Sequence, residues 1–306
     1  MPKAFQIGLV VCLFVFPGLA TAQVNLSWKF KEGEKFYVEK VETVKLSADS
    51  IGKPVTQELE TTTVISFRVV KVDGDKITLE QKFEGARIKG EVSGNDAVKK
   101  LMNRLKGVSL TVNLDSAAKI ESIKGYDEAL KKLTEGKDKA DGLENVFNQD
   151  IIKVFLNEIF GFLPDKPVKK GDSWSHFTRM PLGPYGFLQG DYLFTFKGVD
   201  EKAKDKVPQG LEIGLKGNLS FDFPKGEIVA PGIKVTQAEF KSPIQEQPGV
   251  SGTYWFNSET GRLIRSEVNI DIKGTLSLEK QDTSLTVNLE LKTNSKTRFL
   301  DKNPLE

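Results

Sequence analysis

Leu211-Glu212-Ile213-Gly214-Leu215-Lys216-Gly217-Asn218-Leu219-Ser220-Phe221-Asp222-Phe223 alternates between apolar and polar residues almost without a break. Successive side chains of an extended chain leave on opposite faces. Leu211, Ile213, Leu215, Leu219, Phe221 and Phe223 therefore share one face, and Glu212, Lys216, Asn218, Ser220 and Asp222 the other. Strands of a parallel sheet, covered on both sides, read as continuous apolar runs, so this pattern predicts antiparallel sheet with one wet face. The same sidedness recurs at Ile77, Leu79 and Phe83, and at Leu285, Val287, Leu289 and Leu291, with Val268, Ile270 and Ile272 on a neighbouring strand. Asp73-Gly74 falls between two such runs and suits a tight hairpin turn, where positive φ angles are needed.

One-sided strands need a cover, and two segments are predicted to be helical. Asn95-Asp96 caps a short helix over residues 97–106. The longer one runs from Leu143 to Leu163, where Leu143, Val146, Phe147, Ile151, Val154, Phe155, Ile159 and Phe160 recur at helical spacing, with Asp141 as start signal and Pro164 as stop. Ile152, Leu156 and Phe162 widen its stripe beyond that of a surface helix, which predicts a helix enclosed on more than one side. The expected fold is mainly β with minor α: a curved, half-barrel-like antiparallel sheet in two pseudo-repeats, with the long helix covering its concave face.

The two pseudo-repeats rest on three signatures that occur in the same order twice. Lys31-Glu32-Gly33-Glu34-Lys35-Phe36 matches Lys169-Lys170-Gly171-Asp172-Ser173-Trp174 as a turn entering a strand. Val64 to Asp73 resembles Tyr192 to Asp200, and Leu114-Asp115-Ser116 leading to Lys119-Ile120 resembles Phe256-Asn257-Ser258 leading to Arg262-Leu263. The expected division is residues 1–22 as a signal peptide, 23–163 as a first β unit with the helices, and 164–306 as a second β unit.

The signal-peptide expectation comes from Lys3, the apolar run Ala4 to Phe16, and the small residues of Ala20-Thr21-Ala22, which place cleavage before Gln23. The run is too short to span a bilayer, and no transmembrane helix is expected in the mature form. Cys12, the one cysteine, lies inside it, so the mature chain has no thiol for disulfides, zinc or nucleophilic chemistry. With 44 basic and 42 acidic residues, no overall field favours nucleic acid. A secreted or periplasmic, bacterial location is the expectation.

No catalytic, cofactor or metal constellation emerges. His176 is the one histidine and follows Gly171-Asp172-Ser173, a block that resembles the nucleophile segment of GDSL-type esterases over three residues. Those enzymes take their histidine from an Asp-x-x-His motif near the C terminus, which is missing here, and Ser173 and His176 on one strand would face opposite ways. Asp73 and Asp75 are too few oxygens for calcium. Gly183, Gly186 and Gly190 lack the spacing and lysine of a phosphate loop. Glu58, Glu60, Glu80, Asp191 and Glu239 read as solvated strand or turn residues. Asn25-Leu26-Ser27 and Asn218-Leu219-Ser220 satisfy the glycosylation pattern, a common chance occurrence.

Two apolar features remain. The segment Met180 to Leu188 is rich in large apolar residues for a loop, and the wide face of the long helix either fills the sheet's concavity or lines a cavity in it. Phe147, Ile151, Phe155, Ile159, Met180, Leu182, Tyr185 and Phe187 are the candidate apolar ligand or lid contacts.

Phe30-Lys31-Glu32-Gly33-Glu34, the run Leu163-Pro164-Asp165-Lys166-Pro167-Val168 into Lys169-Lys170-Gly171-Asp172-Ser173-Trp174, Gly252-Thr253-Tyr254-Trp255-Phe256-Asn257 and Thr260-Gly261-Arg262-Leu263 resemble uncharacterised families of secreted bacterial proteins. The resemblance implies no activity. The expected architecture is also similar to that of periplasmic lipid carriers, by analogy alone. The expectation is a non-enzymatic envelope protein with an interaction or scaffold role, or alternatively a binding module for an apolar ligand or lipid, with a hydrolase as the third and least favoured reading. Its partner is then an envelope protein or an apolar small molecule.

Overall fold

The sidedness of the strands is realised in one antiparallel sheet. In the computed structural model, residues 23–50, 53–90, 95–134, 147–181, 186–199, 210–222, 228–230, 233–241, 249–280 and 283–306 are described. The expected signal peptide, the start signal at Asp141 with Leu143 and Val146, and the candidate contacts Leu182 and Tyr185 lie outside them.

Eleven strands follow one another across the sheet. They are β5 (Ile120–Lys124), β4 (Ser109–Asp115), β3 (Lys76–Lys89), β2 (Lys53–Asp73), β1 (Lys35–Ser50), β13 (Thr283–Leu300), β12 (Arg262–Lys280), β11 (Val250–Asn257), β8 (Leu211–Asp222), β7 (Phe187–Val199) and β6 (Ser173–Pro181). The path does not close into a barrel. β10 (Ile233–Lys241) extends it beyond β11 by pairing with the far half of β12, and β9 (Ile228–Ala230) pairs with β10. The segment read as an apolar loop is shorter than expected, because Met180 and Phe187 already belong to β6 and β7, whose last pair is Pro181 with Phe187.

The internal duplication is visible in matching backbone bonds. The Gly33 N–H donates to the Val69 carbonyl (2.9 Å) and the Val69 N–H to the Glu34 carbonyl (2.8 Å); Gly171, Phe196 and Asp172 repeat the pair at 2.8 and 2.9 Å. Both turns need a glycine, with φ of 81° at Gly33 and 94° at Gly171. Each is followed by a bulge at the same place, between Val69 and Lys71 and between Phe196 and Gly198. At the other signature, Asp115 Oδ1 accepts from the N–H groups of Ala117 and Lys119, and Asn257 Oδ1 from those of Glu259 and Thr260. The series β1 to β5 thus corresponds to β6, β7, β8, β11 and β12, and β13 joins the two by pairing with both β12 and β1.

Three helices are described: α1 (Asn95–Leu105), α2 (Tyr126–Thr134) and α3 (Gln149–Phe160). α1 sits where expected. α2 was not foreseen. α3 begins later than the expected Leu143, because Asn148 takes the cap: its side chain accepts from the Ile151 N–H, leaving Phe147 outside the helix. It also stops before Pro164, at Gly161. α3 packs against β5 and β6, the two outermost strands, and so bridges the gap the sheet leaves open.

The core at this end is aromatic. Trp28 lies edge-on to Phe160, Phe162 and Phe256 at 5.2–5.9 Å between ring centres, and Phe67 meets Phe160 at 5.3 Å. Two indoles close the end of α3, whose last carbonyls have no partner within the helix. Trp28 Nε1 donates to the Phe160 carbonyl (2.8 Å) and Trp174 Nε1 to that of Phe162 (2.9 Å).

Candidate functional site

Reading β1, β13 and β12 side by side along the inner face gives five rungs. They are Lys40, Thr297 and Ser266; Glu42, Ser295 and Val268; Val44, Thr293 and Ile270; Leu46, Leu291 and Ile272; and Ala48, Leu289 and Gly274. The face changes from polar to apolar within a few residues of strand. The polar end lies under α3, and a cavity of about 270 Å³ opens between them. Ile151, Val154, Phe155, Glu158 and Ile159 of α3 form one wall; Met180, Tyr192, Tyr254, Val268 and Ile270 form others; Lys40, Glu42, Thr293, Ser295, Thr297 and Ser266 supply the polar surface.

Lys40 is the centre of its electrostatics. Its side chain is 18 % exposed, with Nζ 3.0 Å from Glu158 Oε2 and 3.4 Å from Glu42 Oε2. Burial alone would lower its pKa, but the two carboxylates outweigh burial and hold it above the ordinary lysine value. Burial, with a contribution from Glu158, raises the phenols of Tyr192 and Tyr254 above their ordinary value. Among the described residues the hydroxyls of Ser266, Thr293, Ser295 and Thr297 make no hydrogen bond to another protein group.

Beyond the cavity the inner face stays apolar. Leu285, Val287, Leu289 and Leu291 are half-buried, while Leu46 and Val55 are exposed. The described helices make their main contacts elsewhere: α1 on β3, α2 on β4, α3 on β5 and β6.

Four of the candidate contacts, Ile151, Phe155, Ile159 and Met180, come together around this cavity. Phe147 does not: it stacks on Tyr126 (5.4 Å), whose hydroxyl donates to its carbonyl. Phe187 carries the Arg179 guanidinium 3.5 Å above its ring, away from the cavity. Lys40, Glu42 and the hydroxyl row were missed, although their parity with Phe36 and Val38, and with Leu289 and Leu291, was the available signal.

His176 lines a second cavity, of about 390 Å³, on the other side of Glu158, with Lys119, Asp165, Thr178 and Phe194. Burial lowers the pKa of its imidazole, partly offset by a bond to the Gly161 backbone and by Asp165. The Ser173 hydroxyl instead meets that of Thr195 (2.9 Å) at the exposed surface, so serine and histidine do not share a face. Asp73 pairs with Lys71 at 2.6 Å. Among the described residues no group of three or more His, Cys, Asp or Glu is placed to hold a metal, and no helix is long and apolar enough to cross a membrane.

The family model described as "Family of unknown function (DUF6263)" matches residues 68–226. No curated protein matches the chain. Among solved structures, lipovitellin, described for its lipid–protein interactions, is 12 % identical with a TM-score of 0.43; the match covers 90 % of this chain and 26 % of that one. The chain thus spans about a quarter of lipovitellin's length. A DUF1329 family protein from Desulfovibrio piger is 10 % identical, with 83 % of each chain covered and a TM-score of 0.14. An outer membrane channel from Pseudomonas putida F1 is 10 % identical, covering 94 % of this chain and 100 % of that one, with a TM-score of 0.19. These scores fall below what an argument from likeness requires.

Proposed function

The chain belongs to the DUF6263 family, a family of unknown function, and we propose from its own geometry that it is an exported, non-enzymatic binding protein for a single-chain amphiphile. The observation that carries this reading is the polar-to-apolar change along β1, β13 and β12, which starts in a cavity beside α3 and continues as an apolar face. A lipid-like molecule lying along these strands would set its head by Lys40 and the hydroxyls and its tail against Ile270, Leu291 and Leu46. Pockets for small molecules combine such apolar walls with a few placed polar groups. The export part of the reading is supported by Lys3 and the apolar run that follows it.

The test is solvent extraction of the protein purified from its own host, followed by mass spectrometry, together with uptake of the uncharged probe phenylnaphthylamine. Bound lipid in the extract and a fluorescence gain that Ile270→Lys abolishes are expected. An extract without lipid and a wild type that leaves the probe dark would end the reading. A second reading, a contact role in the cell envelope, is favoured by Phe177 and Leu193, which stand 63 % and 46 % exposed on the outermost strand β6 and its neighbour β7. Its test is whether Phe177→Ser with Leu193→Ser removes a cross-linked partner in the host while probe uptake persists.

A further inference from the structure

The polar end of the cavity is specific about charge. Three charged residues line it, one cation and two carboxylates, and the cation already lies within 3.4 Å of both. Lys40 therefore has no charge to offer an incoming anion, and the cluster carries a net negative charge in a partly desolvated place, where like charge repels strongly. Beside it stand four hydroxyls, of Ser266, Thr293, Ser295 and Thr297, without a protein partner among the described residues. Buried polar groups take hydrogen-bond partners, and a hydroxyl both donates and accepts.

Resting on the amphiphile-binding reading above, we infer that the head group this site takes is uncharged and hydroxyl-bearing, as in a monoacylglycerol, and not a free carboxylate or phosphate. The head lies among Ser295, Thr293 and Thr297, with the Lys40 ion pairs as a fixed wall, and the acyl chain leaves toward Ile270 and Leu46.

The experiment is displacement of phenylnaphthylamine from the purified protein by three competitors of equal chain length: monodecanoylglycerol, decanoate and decyltrimethylammonium. Monodecanoylglycerol is expected to displace the probe at a concentration at least about tenfold lower than decanoate, because the anion meets the carboxylates unpaired. Thr293→Val combined with Ser295→Ala should weaken monodecanoylglycerol by about tenfold, the scale of one or two lost hydrogen bonds, and weaken decanoate less. Glu158→Gln, which neutralises the cluster, should narrow the gap between the two by favouring decanoate. Equal or better displacement by decanoate, or best displacement by the cation, overturns the inference while leaving amphiphile binding intact. A wild type that takes up no probe overturns the binding reading itself, and this inference with it.

Discussion

The two ends of β1, β12 and β13 share one backbone ladder and differ in almost everything else. Near the start of β1, Phe36, Val38 and the rings around Trp28 are buried and interlocked with the end of α3. Near the far end, Leu46, Leu289 and Leu291 occupy the same inner face but remain partly open to solvent. A pleated ladder holds both ends equally well, so hydrogen bonding does not explain the difference. What distinguishes them is the cover: aromatic rings and a capped helix at one end, and, among the described residues, no helix with its main packing on β1, β12 or β13 at the other. Apolar surface that folding leaves exposed is surface available to a ligand.

The comparison breaks most visibly at the closed end. Phe160→Ala removes a ring 1 % exposed and is expected to cost about 3–5 kcal/mol in urea unfolding, the range for deleting a buried aromatic. A loss under about 1 kcal/mol would mean this end is not packed as described. Asn148→Ala, which strips the α3 cap, should cost about 1 kcal/mol, read as a lower thermal midpoint.

At the open end the same chemistry should matter less for stability. Leu291→Asn, at a half-buried position beside buried Ile272, is expected to cost about 1 kcal/mol, well below Phe160→Ala, yet to weaken phenylnaphthylamine uptake. A large stability loss without change in uptake would show that the face is covered after all.

The smallest effect expected is a pH dependence at the closed end. Burial holds the pKa of His176 below its ordinary 6.5, so the unfolded chain binds a proton more readily than the folded one. The stability this leaves in place above 6.5 is lost as pH falls from there toward the folded value. Asp165, which faces the ring, limits the loss, and Lys119 adds to it. Urea midpoints of wild type should therefore fall more steeply on mild acidification than those of His176→Gln. Parallel curves would remove the histidine from the account.

Strand sidedness was legible because period two is a local signal: Ile213, Leu215 and Leu219 are buried as their alternation requires, and Gly33 and Gly171 marked matching turns. The Asp73-Gly74 hairpin was legible too, with its one positive φ at Gly74 (57°). α2 was not, since its nine residues carry few apolar positions; acidic Asp127 and Glu128 at its start and Lys131 and Lys132 at its end were the available clue. The apolar half of the site followed from the spacing of Ile151, Phe155 and Ile159. Its polar half did not, because a lysine and a glutamate in a strand read as solvated residues until a partner such as Glu158, 118 positions away in the chain from Lys40, is brought opposite.

β13 is the last of the described strands, and it pairs with the first of them. The rest of the sheet is a succession of neighbours in which each strand waits only for the next, apart from the excursion through β9 and β10. The seam between the two halves, by contrast, forms only after both have been synthesised, and the Trp28 cluster, which includes Phe299, is incomplete until then. Refolding should accordingly be slow, on the order of milliseconds to seconds as for other sheets built from distant pairings, and a chain shortened by its final strand should stay soft at its centre.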